Sequence, residues 1–265
     1  MIGTLVANFS LFLVVFARVV ALIEVAPLLS SDAIPQIAKL GLAMFISTAV
    51  LPWVAQQGYV IPSAFVEYFL LVLGEALIGI ILAFFLNIIF AVFQSAGQFF
   101  SLQMGFGASE VFDPLAQEEI PLMGQFLNIV GMFTFLVIGG AQKLLLAGVY
   151  YSFRSIRAVD LVAGRAALFP MLARSLGELF VNALTIAFPI LGTLLLVSVA
   201  MGLMAKAAPQ MNLLIMGFPI SIGVALIVLA LSMPFLVGAF GRLLDGGFTS
   251  MGRLLTALRG AGGSQ

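Results

Sequence analysis

Ala76-Leu77-Ile78-Gly79-Ile80-Ile81-Leu82-Ala83-Phe84-Phe85-Leu86-Asn87-Ile88-Ile89-Phe90-Ala91-Val92-Phe93-Gln94-Ser95 runs for 20 residues without a charge, and the uncharged run continues to Ser109. Crossing a bilayer's hydrocarbon core takes roughly 20 apolar residues at about 1.5 Å of helical rise each. This stretch alone therefore predicts a membrane-spanning helix. Working outward, residues 40–66, 120–142, 179–205 and 207–241 are uncharged runs of sufficient length, and residues 4–28 form a sixth candidate despite Arg18 and Glu24. Most prolines, Pro27, Pro35, Pro62, Pro114, Pro121 and Pro209, sit at the edges of these blocks, where helix ends tolerate them. Pro189 and Pro234 fall inside blocks and predict kinks. Lys206-Ala207-Ala208-Pro209-Gln210-Met211-Asn212 is too short for a domain and polar enough for a turn, so its flanking blocks are expected to form a helical hairpin. After Gly241 the pattern changes: Leu244, Phe248, Met251, Leu255 and Leu258 recur at steps of four and three, with Arg242, Arg253 and Arg259 elsewhere. That predicts an amphipathic helix, lying on lipid or docking on a partner.

The whole chain, 265 residues, is 63% hydrophobic and 8% charged, with a mean hydropathy of +1.23. A soluble domain averages about a quarter charged residues, so lipid or partner subunits must cover the excess apolar surface. No charge-rich or Ser/Pro-rich linker divides the blocks, which reads as one domain. Eleven basic and 11 acidic residues balance, giving no general attraction to nucleic acid. There is no cysteine and no histidine. Disulfides, thiol nucleophiles, imidazole bases and the common zinc and haem ligand sets are excluded together. The first 17 residues carry no charge and Arg18 follows the apolar stretch instead of preceding it, unlike a cleaved secretory signal, so this segment is expected to be retained. Arg154, Arg157, Arg165 and Arg174 make residues 149–177 a basic connection, and the tail adds three more arginines, against Lys39 and Lys206 on the other side. With six spans, that asymmetry puts both termini and the basic connection in the cytoplasm.

Few residues could carry chemistry. Glu110, Asp113, Glu118 and Glu119 form an acidic loop, but without a nucleophile or the ligand spacing of a calcium loop they read as solvated or partner-facing. No phosphate-binding glycine loop is present; Gly139-Gly140-Ala141-Gln142-Lys143 does not match one. Ionisable groups inside apolar segments are costly, so Arg18, Glu24 and Glu75 are functional candidates. Against that stands the plainer reading that Arg18 pairs with Glu24 or Glu75 to join helices. A secondary transporter using Glu24 and Glu75 would want an internal repeat, and none is evident. Glu75, Gly79, Ala83, Asn87, Ala91 and Ser95 recur at every fourth position, with Phe84, Phe85, Phe90 and Phe93 off that row; Gly217, Ser221 and Ala225 repeat the device. Such rows predict close helix packing against a crossing neighbour.

Ser95-Ala96-Gly97-Gln98-Phe99-Phe100-Ser101-Leu102-Gln103-Met104-Gly105-Phe106-Gly107-Ala108-Ser109-Glu110-Val111-Phe112-Asp113-Pro114-Leu115 places a glycine-rich, aromatic break and an Asp-Pro between two apolar helices. Together with Ala26-Pro27, Ile34-Pro35, Pro209-Gln210-Met211-Asn212 and Met216-Gly217-Phe218-Pro219-Ile220, in that order over nearly the whole chain, it resembles the FliR family of type III secretion export-gate proteins. Asp113-Pro114 and the Pro-Gln-Met-Asn run favour the flagellar branch over the injectisome branch.

The resemblance implies a non-enzymatic subunit, without cofactor or metal, of a flagellar channel that passes unfolded proteins across the bacterial inner membrane. Its implied partners are FliP and FliQ in a helical spiral around a narrow pore, with FlhB and FlhA nearby in the basal body. The implied fold class is an all-α membrane protein of about six long apolar helices in kinked hairpins, with a C-terminal amphipathic helix. Residues 1–177 would be a FliP-like part, 178–241 a FliQ-like hairpin and 242–265 the amphipathic tail. The loop at about 103–119 would be the plug, with Gly105, Phe106, Gly107, Glu110, Val111, Phe112, Asp113 and Pro114 as its gate residues. Lys206, Pro209, Gln210 and Asn212 would line the cytoplasmic entrance. Helix packing, on the spacing above, falls to Glu75, Gly79, Ala83, Asn87 and Gly217.

Overall fold

The computed structural model describes residues 2–106, 122–158, 165–208 and 213–262. All regular structure among them is helical: α1 (Ile2–Val25), α2 (Gln36–Gln56), α3 (Phe65–Met104), α4 (Leu122–Val137), α5 (Gly140–Ser155), α6 (Arg165–Ala207) and α7 (Leu213–Gly262). Five helices are long and apolar enough to cross a membrane, and counting the bent pair α4 and α5 as one span makes six. The chain is an all-α membrane protein, as its composition predicts.

Helix boundaries depart from the charge-free blocks in an instructive way. Helix α3 starts at Phe65, well before residue 76, because Glu75 is fully buried with a partner and so does not end the helix. Helix α2 stops at Gln56, where Gly58 turns the chain with φ 64, although the uncharged run continues to residue 66. The basic connection is mostly not a loop: Arg154 belongs to α5, and Arg165 and Arg174 to α6. Single charges do not interrupt these helices, Arg174 and Glu178 lying well inside α6, so a block ends earlier than the helix that contains it. Pro52 and Pro219 lie inside α2 and α7, beyond the set of edge prolines, and α6 and α7 run on through Pro189 and Pro234. At about 1.5 Å per residue, the 40, 43 and 50 residues of α3, α6 and α7 have contour lengths of about 60, 65 and 75 Å, each well beyond one bilayer core of about 30 Å.

The chain divides into two compact units. The first comprises Met1–Ile89, Gly139–Leu176 and Leu244–Gln265. Its centre is the stripe Leu11, Val14, Val15, Arg18, Val19, Leu22 and Ile23 on α1, recurring at the three- and four-residue steps of one helical face, with Ala26 just past the helix end, all buried. Helix α2 returns beside α1, and the first part of α3 runs parallel to α1, as the contacts Tyr68 to Ser10, Glu75 to Arg18 and Asn87 to Val25 advance together along both. The predicted amphipathic tail is helical, yet no break at Gly241 sets it apart from α7. Leu244, Met251 and Leu255 are buried inside this unit, so the apolar face packs on its own chain.

The second unit comprises Phe90–Ile138 and Gly177–Leu243. Phe90, Phe93, Phe135 and Phe240 form its aromatic centre, with ring centroids 5.7 Å apart for Phe90 with Phe93 and with Phe135, and 4.1 Å for Phe93 with Phe240. Ala183, Ile186, Ala187, Ile190 and Leu194 make the buried stripe of α6, and Gly217, Ser221, Ala225 and Leu229 that of α7. The rest of α6 carries Phe180, Val181, Phe188 and Leu196 into the open, Phe188 being 68% exposed. A soluble monomer rarely shows so broad an apolar surface.

Candidate functional site

Helix α3 ends at Met104 through a local device at Gly105. Phe106 N–H donates to Ser101 O at 3.2 Å and Gly105 N–H to Leu102 O at 3.1 Å, while Gly105 adopts φ 92. This paired arrangement is a Schellman cap, which needs a left-handed residue just past the helix end and favours glycine there. A Cβ on Gly105 would overlap the Phe218 ring. The ring edge of Phe218, in the Met216-Gly217-Phe218-Pro219-Ile220 run, thus lies against the glycine that opens the predicted gate loop. The helix stops nine positions before Asp113, so Gly105, and not Asp113-Pro114, terminates it.

Of the predicted gate residues, Gly105 and Phe106 form the helix cap above, while Gly107, Glu110, Val111, Phe112, Asp113 and Pro114 lie outside the described residues. Pro209, Gln210 and Asn212 of the predicted entrance do so too. Lys206 occupies the last turn of α6 and is exposed.

Up to Asn87 the four-residue row on α3 faces α1, which runs alongside it in the same direction. Glu75 meets Arg18, a Cβ on Gly79 would collide with the Arg18 carbonyl and lie 3.0 Å from Leu22 N, Ala83 is fully buried, and Asn87 Nδ2 donates to Val25 O at 2.5 Å at the end of α1. Beyond that point the row fails. Ala91 and Ser95 are only half-buried, and the buried positions become Val92, Phe93, Ala96, Gly97 and Phe100. A row at every fourth residue drifts about 40° per step, so it cannot keep one face inward over six positions. Gly217 is looser than Gly79: among the described residues its Cβ would meet only the Met201 side-chain end, at 3.3 Å.

Arg18 and Glu75, both fully buried, centre a polar network. Arg18 Nε donates to Glu75 Oε2 at 2.7 Å and its Nη2 also pairs with that oxygen. Nη1 donates to Ser152 Oγ and Nη2 to Ile156 O, each at 3.0 Å, and the guanidinium carbon lies 3.9 Å from the centre of the Phe153 ring. Glu75 Oε1 accepts from Tyr59 Oη and from Ala158 N–H, the latter at 3.0 Å. Burial first, then the Glu75 carboxylate, holds the Tyr59 hydroxyl protonated well above the ordinary phenol range. Of the two partners open to Arg18 in the sequence, the structure selects Glu75; Glu24 lies 3.7 Å from Lys39 instead. Among the described residues, no group of three or more His, Cys, Asp or Glu converges in a way that could hold a metal.

Three close approaches within the second unit were missed by sequence reasoning. A Cβ on Gly97 would strike Met123 O and Gly124, and one on Gly124 would lie 2.9 Å from Gln94 O, so α3 and α4 cross glycine to glycine. A Cβ on Gly131 would enter the Phe93 ring. None belongs to a spaced row, so no periodic signal marks them. Tyr59, inside the uncharged run 40–66, and Ser152, in the connection after residue 149, were equally unmarked, since neither carries a charge.

Comparison with known proteins places this arrangement. The model of a family described as "Bacterial export proteins, family 1" matches residues 9–247. The flagellar biosynthetic protein FliR of Bacillus subtilis is 32% identical over 236 residues, covering 87% of this chain and 89% of the relative. Its namesake in Borreliella burgdorferi is 36% identical over 190 residues, 71% of each chain, and that of Escherichia coli is 31% identical over 221 residues, 83% of this chain and 82% of the relative. A match of that extent, by model and by relatives alike, means that this chain belongs to the bacterial export proteins, family 1, the family of flagellar biosynthetic FliR proteins.

Proposed function

We propose that this protein is a structural and gating subunit of the flagellar type III export channel in the bacterial inner membrane, at the flagellar basal body, where it passes unfolded flagellar subunits and performs no chemistry itself. The observation that carries the reading is the α3 terminus: a long apolar helix is stopped by Gly105 against Phe218, at the start of the motif that resembles the family's plug. Non-helical backbone between apolar segments is tolerated at membrane depth only where protein or a water-filled cavity satisfies it. The pore of a hetero-oligomer supplies that setting, and the exposed faces of α2, α6 and α7 supply surface for neighbouring subunits. FliP and FliQ are the proposed neighbours, with FlhB and FlhA close by. The transporter reading finds little support in the geometry, because Glu75 is already saturated by Arg18, Tyr59 and Ala158.

Deleting residues 107–115 tests the gate. The deleted chain is expected to copurify with FliP and FliQ in mild detergent and to export, while leaking small ions when idle, measured as membrane conductance. Normal assembly with a resting membrane as tight as that of the intact chain would remove the plug from this loop. Failure to copurify with any other small membrane protein, by the intact chain, would remove the channel reading altogether.

A further inference from the structure

Helix α5 stops at Ser155, and Ile156 turns into extended backbone at φ −137 and ψ 137. Ile156 and Ala158 are both buried, and Ala158 is pressed so closely on α3 that a Cβ on Gly74 would lie 2.6 Å from its own. The carbonyl of Ile156 and the N–H of Ala158 therefore leave the helical ladder in a place water does not reach. Buried backbone groups of this kind must find partners. They find the two ends of one ion pair: Arg18 Nη2 donates to Ile156 O, and Glu75 Oε1 accepts from Ala158 N–H, each at 3.0 Å. Arg18 Nη1 takes Ser152 Oγ, one turn earlier in the same segment.

An ion pair that served only to neutralise itself would be complete with the contacts between Arg18 and Glu75 Oε2. Here the remaining corners of Arg18 go to the broken chain, and Glu75 Oε1 is shared between it and Tyr59 Oη, the two backbone contacts falling one on either side of Arg157. We propose that Arg18 and Glu75 are positioning residues whose role is to hold the 156–158 connection in the place of water, and that their mutual charge neutralisation is what lets them sit there. The same polarity is required at each position: a donor at 18 and an acceptor at 75.

Two double variants separate this role from simple pairing. Arg18→Leu with Glu75→Leu removes both charges together, a change that is often harmless when a buried pair serves only itself. Arg18→Glu with Glu75→Arg keeps the pair but presents an acceptor to the Ile156 carbonyl and a donor to the Ala158 N–H. The chain lacks cysteine, so Ile156→Cys, at a buried position, reports on the connection by maleimide labelling of the full-length protein in native membranes. The reporter alone is expected to be protected, and both double variants are expected to label at least tenfold faster or to fail to accumulate. Glu24→Leu with Lys39→Leu, which removes a pair that does not touch the connection, should leave accumulation and labelling within about twofold of the reporter alone. Reporter-like protection and accumulation in either Arg18/Glu75 double variant overturns the proposal. So does an equal loss in the Glu24/Lys39 control, which would mean that any lost pair loosens the unit.

Discussion

Gly79 and Gly217 belong to rows that look alike in the sequence, yet what a methyl group would meet at each differs. At Gly79 it meets the backbone of α1, which cannot turn aside, whereas at Gly217 it meets the flexible end of Met201. Gly79→Ala is therefore expected to destabilise the chain by about 1–3 kcal/mol through overpacking. Gly217→Ala should be within about 0.5 kcal/mol of neutral, because a small strain is offset by better helix propensity. Thermal unfolding of the two purified variants decides it, and equal losses would refute the distinction. Tyr59 adds a pH dependence. Its folded pKa is raised above the ordinary value of 10.0 by burial and by Glu75, so the folded state holds that proton more tightly than the unfolded state does. The contribution is fully present below about pH 10 and is lost as pH rises beyond it. A stability titration should show an alkaline decline that Tyr59→Phe diminishes; an unchanged decline in that variant would show that Tyr59 does not cause it.

Among the elements, α3 is the most informative, because its start, its packing and its end have separate physical causes. It begins upstream of a buried carboxylate, packs on α1 through a drifting row, and ends at a glycine in a conformation other residues adopt only at a cost. Gly105→Ala should cost about 1–2 kcal/mol from the left-handed backbone and more from overlap with Phe218. Adding Phe218→Ala should relieve the overlap and leave the backbone part, so the two substitutions are expected to couple by more than about 0.5 kcal/mol in a double-mutant cycle. Strict additivity would mean that ring and glycine do not touch. The crossing at Gly97 and Gly124 belongs to the same scale: Gly97→Leu should prevent α3 and α4 from closing, read as loss of folded chain in the membrane.

Across the whole molecule, apolar surface exceeds what the chain can bury. In α2, α6 and α7 the most apolar windows are only 22% buried, against 56% in α3. Those helices are the ones expected to meet lipid or neighbouring subunits, and substituting a charged residue at Phe188 or Leu196 should reduce copurification with FliP or FliQ while leaving Gly79-type internal packing intact. The side on which the turn at 206–212 lies is a second test at this scale. A count of six spans with basic residues inside puts it outside, whereas the export-gate reading puts it in the cytoplasm. Helices α6 and α7 are too long for a simple span count to govern, and one lysine weighs little, so we expect Ala207→Cys to label from the cytoplasmic side. Labelling from the outside alone would reject that topology.

What the sequence determined by itself follows from composition and local rules. An apolar content of 63% with 8% charge dictates helices that need lipid or partners, and the absence of Cys and His excludes thiol and imidazole chemistry, whatever the fold. The row from Glu75 to Asn87 was legible because helical periodicity is local, and so was the amphipathic pattern after Gly241. Tertiary structure decided what depends on distant neighbours. Whether Arg18 pairs with Glu24 or Glu75, whether Glu75 ends a helix or lies inside one, and whether the tail faces lipid or its own chain all turn on which segments meet. The glycines at 97, 124 and 131 are ordinary helix residues until a backbone or ring arrives within contact distance, and no spacing along one chain segment encodes the approach of another.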